Sequence, residues 1–374
     1  MSETGGPLRR ALRIVAALTI VVPLTADAVA GSRPSSGGSA IVSARPIAAF
    51  HPSEPGRTRF GELEFLGGLV LSSPSTDFQS LSGLTSFESG RQLIAVGDEG
   101  TWIGLRLETD ATGRPLAVED VRIAPLLDAA GRPFPSKWAR DAESVGFRRT
   151  AGGGEFFVGF EGAHRVLAYP VSGDPRSAFD APGRPLPDLP PDIASLRGNR
   201  GLEGLAVAPA GSPLAGSVLL VAEEPRPGEA DQPVWIVGGP TPGMFHLARR
   251  DHYADTDAAF LPNGDLLVLQ RRFGLRIGLG MRLLRIPAAD IRPGRTVQGR
   301  LLLEADWGWE IDNMEGLAVD TAPDGSTILT LVSDDNGNWF QRTVLLRFRL
   351  IDGAGRTTVG AARDGEFDGR STLR

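Results

Sequence analysis

The sequence has no cysteine, one lysine (Lys137), two tyrosines and four histidines. Without cysteine there is no disulfide, no thiolate nucleophile or thiolate metal ligand, and no thiol for lipid attachment. The chain therefore has to hold together by core burial, helped at most by a bound metal. The histidines, His51, His164, His246 and His252, make neither an H-x-x-x-H nor an H-x-H zinc pattern. A G-x-S-x-G elbow, a P-loop and a dinucleotide fingerprint are all missing. Beyond residue 24 no run is long and apolar enough to span a bilayer. Net positive charge is lacking too: the formal charge is -6. This makes nucleic acid and an anionic membrane poor partners.

What is abundant is glycine and proline, 48 and 29 residues, about a fifth of the chain against roughly 12% in average proteins. Many tight turns and few helices follow. At the N-terminus Arg9, Arg10 and Arg13 precede an apolar run from Ile14 to Leu24. Ala28-Val29-Ala30 then supplies a small-x-small cleavage site. Residues 1–30 read as a secretory signal peptide. Pro23 and Asp27 keep the run short of the ~20 residues of a membrane span, so cleavage and export to the periplasm or medium are expected, with no stable membrane insertion afterwards. Residues 31–58, rich in Ser, Pro and Gly without strand or helix period, read as a flexible linker. Residues 352–374 read as a polar tail, leaving 59–351 as the folded domain.

Within that domain one motif recurs. The segments LSGLTSF (81–87), DAESVGF (141–147), GLEGLAV (201–207), DTDAAF (255–260) and NMEGLAV (313–319) align on Ser82, Glu143, Glu203, Asp257 and Glu315, in steps of 61, 60, 54 and 58 residues. Each is followed by a turn signal, among them Asn263-Gly264 and Asp324-Gly325, and then by an apolar run such as EFFVGFEG or STILTLVSDD. A unit of about 58 residues with some four short antiparallel strands is a propeller blade. The fold expected is therefore all-β, a β-propeller with five visible repeat units and six blades possible. The last unit lacks an outermost strand, and the stretch GELEFLGGLVL (61–71) is placed to supply it and close the ring.

The first strand of a propeller blade lines the central channel, so the motif sets Glu143, Glu203, Asp257 and Glu315 near the axis. A second acidic set ends the next run: Asp98 with Glu99, Glu161, Glu223 with Glu224, and Asp334 with Asp335. Crowded carboxylates repel unless a cation or a buried proton compensates, and hard oxygen ligands suit Ca²⁺. Asn199, Asn313 and Asn336 offer neutral carbonyl ligands. The competing reading makes each carboxylate a structural acceptor for backbone amides of the neighbouring blade. The fourth unit ends instead in Arg271 and Arg272, and Lys137, Arg140 and Arg200 lie nearby in phase. If they share the mouth, they would grip an anionic substrate; otherwise each merely pairs with an adjacent acid.

The ordered series RDAESVGF…FFVGFEGAHRVLAY, NRGLEGLAV…LLVAEE, DLLVLQRRF and DNMEGLAV…LVSDDN…QRTVLLRF resembles the phytase-like family of exported bacterial proteins, described as having esterase-like activity of phytase. The resemblance covers nearly all of residues 60–350. It implies a β-propeller and calcium-assisted hydrolysis of phosphate monoesters, hence a small anionic substrate. With no serine or cysteine set up to attack, a metal-bound water is the expected nucleophile, and the protein is expected to be a monomer. On that basis Glu143, Glu203 and Glu315 are the candidate catalytic carboxylates. Asp98, Glu161, Asn199, Glu203, Glu223, Asp257, Asn313, Glu315, Asp334 and Asp335 are the candidate metal ligands. Lys137, Arg140, Arg200, Arg271 and Arg272 are the candidate phosphate-binding residues. Two alternatives stay open: a calcium-dependent lactonase or carboxylic esterase, and a non-catalytic periplasmic binding or assembly propeller.

Overall fold

The computed structural model describes residues 37–196, 201–274 and 278–351. The expected signal peptide and the tail lie outside them. Five sheets make five blades, antiparallel throughout except where Thr296–Val297 adds in parallel to the outer edge of blade 3. Blade 1 runs outward from the axis through Leu81–Phe87, Gln92–Gly97, Thr101–Thr109 and Pro115–Pro125. Blade 2 comprises Ala142–Thr150, Gly153–Phe160, Arg165–Val171 and the short Arg184–Pro185. Blade 3 is Leu202–Val207, Val218–Ala222, Gln232–Val237 and Gly243–Leu247. Blade 4 is Ala254–Phe260, Leu266–Arg272, Gly280–Ile286 and Arg300–Asp306.

Blade 5 starts with Asn313–Thr321, Thr327–Asp334 and Thr343–Leu350, and its fourth strand comes from the other end of the domain. Leu63–Ser72 pairs antiparallel with Thr343–Leu350, Thr343 opposite Leu71 and Leu350 opposite Leu63. The ring is thus closed by the strand that the sequence offers for it. Inner strands of successive blades touch all the way round, blade 5 against blade 1 included. The ring has five blades.

Blades stack because neither face of a blade can stay wet: strand two of blade 1 is buried along its whole length. Five apolar clusters fill the five interblade interfaces. Between blades 4 and 5, for example, Phe50, Phe60, Phe65 and Phe348 pack at ring distances near 5 Å. Each such buried side chain contributes about 1.5–3 kcal/mol. Phe50 belongs to the stretch expected to be a linker. From residue 37 that stretch is part of the sheets: Gly38–Ser39 pairs with the outer strand of blade 1, and Ser43–Ile47 with Leu63–Ser72. The Ser/Pro/Gly composition concealed these edge strands, which bury only Ile47 of their own side chains.

Strand one of each blade runs away from one end of the channel and strand two returns to it. Asn313 is therefore opposite Asp334, Ala254 opposite Arg271, and Leu202 opposite Ala222. The start of every inner strand and the end of every second strand meet at that end, the mouth.

Candidate functional site

At the mouth the inner strands are kinked by a bulge. The register shifts across Glu143 in blade 2, Glu203 in blade 3, Thr256 in blade 4 and Glu315 in blade 5. An extra residue on one strand re-aims its side chain, and here it turns the three glutamates to the mouth, each 5–8% exposed. In blades 1 and 5 the glycine at the next position is a steric requirement. A Cβ on Gly83 would stand 2.4 Å from the Val145 nitrogen, and one on Gly316 2.5 Å from the Ser82 carbonyl oxygen. At Gly83 and Gly316 the inner strands approach too closely for a side chain, whereas blades 2 and 4 carry Ser144 and Asp257 at the equivalent position.

The bulge also corrects the alignment of blade 4. Thr256, not Asp257, is the counterpart of Glu203, and its hydroxyl donates to the Met314 carbonyl at 3.0 Å. Asp257 sits one position further in and accepts from the amides of Ala258 at 2.8 Å and Leu317 at 2.7 Å. Leu205 and Leu84 add backbone hydrogen bonds, so four blades converge on one carboxylate. Burial raises its pKa well above the ordinary value, against the pull of those amides. Asp257 ties the inner strands together and belongs to neither of the carboxylate triads at the mouth.

Around the mouth the second strands deliver Asp98, Glu161, Glu223, Arg271 and Asp334. The structure adds Asp141, which sequence reasoning passed over. It follows the one-turn helix Lys137–Arg140, and its signal was the i,i+4 spacing to Lys137. Carboxylate oxygens of Asp141, Glu143 and Glu161 lie within 4.8 Å of one another, as do those of Glu161, Glu203 and Glu223. Glu161 belongs to both triads. Oxygens that share one Ca²⁺ at 2.3–2.6 Å are at most about 5 Å apart, so each triad could hold a metal ion. Asp98 adds a buried carboxylate oxygen with no hydrogen-bond partner.

The electrostatics point the same way. Burial, then Asp141, Glu315, Asp98 and Glu161, pushes the Glu143 pKa well up; burial, then Glu143, Glu223, Glu161 and Glu315, does so for Glu203. Glu161 is raised to about 7, by burial first and then by Asp141 and Glu223, against the Gly201 amide it accepts from. Asp334 is raised to about 9 by burial and by Glu315 and Asp98. Glu315 is also raised, by burial, although Arg271 and Asn313 oppose it.

Two cations answer these eight carboxylates among the described residues. Lys137 Nζ lies 3.0 Å from Asp98 and 2.6 Å from Asp141. Arg271 bridges Glu315 at 3.1 Å and Glu223 at 3.4 Å. Burial works against both charges, but the acids hold both pKa values above normal.

The other expected residues divide. Asn313 is at the mouth with Nδ2 donating to Glu315 at 2.6 Å. Asp335 instead ties blade 5 to blade 1 by accepting from the Ser80 amide and the Thr343 hydroxyl. Arg140 is buried and spends its guanidinium on Glu99 at 2.6 Å. Arg272 emerges on the opposite face of its strand from Arg271 and lies over the Tyr253 ring, 5.0 Å away. Neither is part of the mouth cluster. Asn199 and Arg200 lie outside the described residues. A surface cavity of about 740 Å³ opens between blades 1 and 5 at the far end of the propeller. Arg106 and Arg349 in its wall are already paired with Glu88 and Glu64.

A protein family described as phytase-like, with esterase-like activity of phytase, matches residues 76–337. No curated protein matches the chain. Among solved structures it is similar to the tail fiber of Staphylococcus aureus phage P68, at 12% identity and a TM-score of 0.38 over 78% of this chain. The chain spans about half, 53%, of that tail fiber's length. It is also similar to the catalytic domain of a GH62 α-L-arabinofuranosidase from Coprinopsis cinerea, at 11% identity and a TM-score of 0.45, covering 77% of this chain and 97% of that one. A third is an α-L-arabinofuranosidase from Podospora anserina in complex with cellotriose, at 12% identity and a TM-score of 0.44, covering 73% and 93%.

Proposed function

From the premise that this chain belongs to the phytase-like family, we propose that it is an exported, calcium-assisted hydrolase of phosphate monoesters, with the acidic mouth as its site. Family membership supports hydrolase chemistry. The observation that carries the finer reading is the pair of carboxylate triads joined at Glu161, with a guanidinium and an ammonium beside them.

Asp141, Glu143 and Glu161 would hold one cation, and Glu161, Glu203 and Glu223 a second. When bound, Ca²⁺ supplies Lewis acidity toward a phosphoryl oxygen and lowers the pKa of a nearby water. The chain's own residues do the rest. Arg271, held by Glu223 and Glu315, offers N–H groups to the phosphate oxygens and offsets charge in transfer. Lys137, half exposed, draws an anionic substrate toward an otherwise negative mouth. Asn313 fixes the orientation of Glu315.

A second reading has an observation in its favour. Arg140 and Arg272 do not join the mouth, so the site is poorer in phosphate grips than the sequence promised, and a calcium-dependent lactonase or carboxylic esterase needs none of them. Arg271→Ala separates the two. Under the phosphatase reading it lowers kcat/KM for p-nitrophenyl phosphate by 100-fold or more, because a charged hydrogen bond made in the transition state is lost. Under the esterase reading that variant hydrolyses lactones and p-nitrophenyl acetate as well as the wild type does. Absence of phosphate release by the wild type at any calcium concentration would refute the first reading outright.

A further inference from the structure

The described residues expose five large aromatic side chains: Trp138, Phe273, Trp307, Trp339 and Phe340, between 59% and 93% exposed. All five sit on mouth-side connections. Trp138 is on the link from blade 1 to blade 2, and Trp307 on that from blade 4 to blade 5. Phe273 follows strand two of blade 4, and Trp339 with Phe340 follows strand two of blade 5. Among the described residues the far end of the propeller, with its strand-one-to-two and strand-three-to-four turns, exposes no large aromatic side chain. The other exposed large apolar residues are aliphatic and stand singly, Leu116 and Leu301 on outer strands and Ile41 in the link between Gly38–Ser39 and Ser43–Ile47.

These rings do not serve the core. Trp102 and Trp235 fill interblade space, and Trp309 packs on Phe50 at 5.0 Å. Trp339 and Phe340 touch each other edge to face at 5.9 Å and otherwise face water. Their neighbours in sequence are the mouth residues: Trp138 adjoins Lys137, Phe273 is two residues beyond Arg271, and Trp339 is five beyond Asp334. Five residues of extended chain reach at most about 17 Å, so Trp339 lies within that distance of Asp334, and Trp138 and Phe273 stand beside Lys137 and Arg271 on the mouth-side rim. Exposed aromatics grouped on one face mark a binding surface.

We propose that the ester taken by this site carries its phosphate on an alcohol with a flat aromatic face, which stacks on these rings while the phosphate enters the acidic mouth. The proposal rests on the mouth being the hydrolytic site and names its substrate class. The rings offer faces for stacking, and Arg271 and Lys137 beneath them offer charge for the phosphate. A substrate built only of phosphates on a saturated ring, such as phytate, leaves the crown unused. An anionic bilayer is disfavoured because the same face carries the carboxylate cluster.

The test uses the mature protein with Ca²⁺ and two non-hydrolysable probes, naphthylmethylphosphonate and methylphosphonate, followed by tryptophan fluorescence. The wild type is expected to bind the naphthyl probe at least tenfold more tightly, with quenching. In Trp138→Ala/Trp307→Ala/Trp339→Ala that preference and the quenching are expected to vanish, while calcium binding by calorimetry persists. Leu116→Ala/Leu301→Ala, at the outer strands, is expected to keep both. An aryl preference below twofold in the wild type overturns the proposal, as does a preference that survives the triple substitution. Tryptophan-dependent binding to phosphatidylcholine vesicles without any aryl preference overturns it in favour of a lipid surface. Because the probes are not turned over, a protein that binds them with this preference yet releases no phosphate contradicts the hydrolase reading and leaves the recognition reading standing.

Discussion

Asp257 and Glu203 are both buried carboxylates near one axis, yet they have opposite duties, and the difference is one residue of phase. Asp257 has spent its oxygens on amides from four blades, whereas Glu203 faces other carboxylates. Asp257→Ala should therefore damage the fold. An orphaned buried amide costs about 1–3 kcal/mol, and several are orphaned at once, so a loss of about 3 kcal/mol or more is expected in urea unfolding, with Asp257→Asn intermediate. Glu203→Gln should behave the other way. It removes a repelling charge, so the calcium-free protein is expected to unfold at equal or higher urea than the wild type while its calcium affinity drops at least tenfold. Equal destabilisation by Asp257→Ala and Glu203→Gln would contradict this division. Gly316→Ala tests the steric half of the repeated motif. With the Ser82 carbonyl 2.5 Å from the added carbon, a cost of about 2 kcal/mol or more is expected from overpacking.

At the scale of elements, the closing strand carries the ring. Leu63–Ser72 is paired to Thr343–Leu350 along its whole length and also carries Ser43–Ile47 on its outer edge. Removal of residues 1–36 is expected to leave the thermal midpoint of the domain within a few degrees. Removal of residues 1–72 exposes both Thr343–Leu350 and the clusters on either side of blade 5, and is expected to give insoluble or uncooperatively unfolding protein, read by circular dichroism and calorimetry.

This part of the fold was legible because strand alternation, turn residues and the period near 58 agree with one another. The mouth was legible at Glu143, Glu203 and Glu315 for the same reason. Its details were not. A bulge shifts phase without changing composition, which put Asp257 where Thr256 belongs. Asp141 precedes the motif's glutamate and stands outside the repeat. Arg140 and Arg272 carry the right charge at the right height, but pairing with Glu99 and strand alternation, neither visible in spacing, take them out of the mouth.

For the whole molecule, the concentrated negative charge makes metal and protons competitors. Burial and neighbouring acids raise Glu161 to about 7 and Asp334 to about 9. A carboxyl whose folded pKa is raised favours folding at pH values below its ordinary pKa near 4, and that contribution is lost as pH climbs to the folded value. The chelated protein is therefore expected to lose thermal stability from pH 5 to pH 9, and added calcium to restore it more at pH 8 than at pH 5, with protons released on binding. A chelated protein whose midpoint rises steadily over that range would contradict the assignment.

The most direct measurement is phosphate release by chelated protein as calcium is titrated back, with wild type beside Glu161→Gln, the residue common to both triads. The account predicts release from p-nitrophenyl phosphate that is absent after chelation, returns with calcium in the wild type and falls at least 100-fold in the variant. Release that is indifferent to calcium, or undiminished in Glu161→Gln, would contradict it.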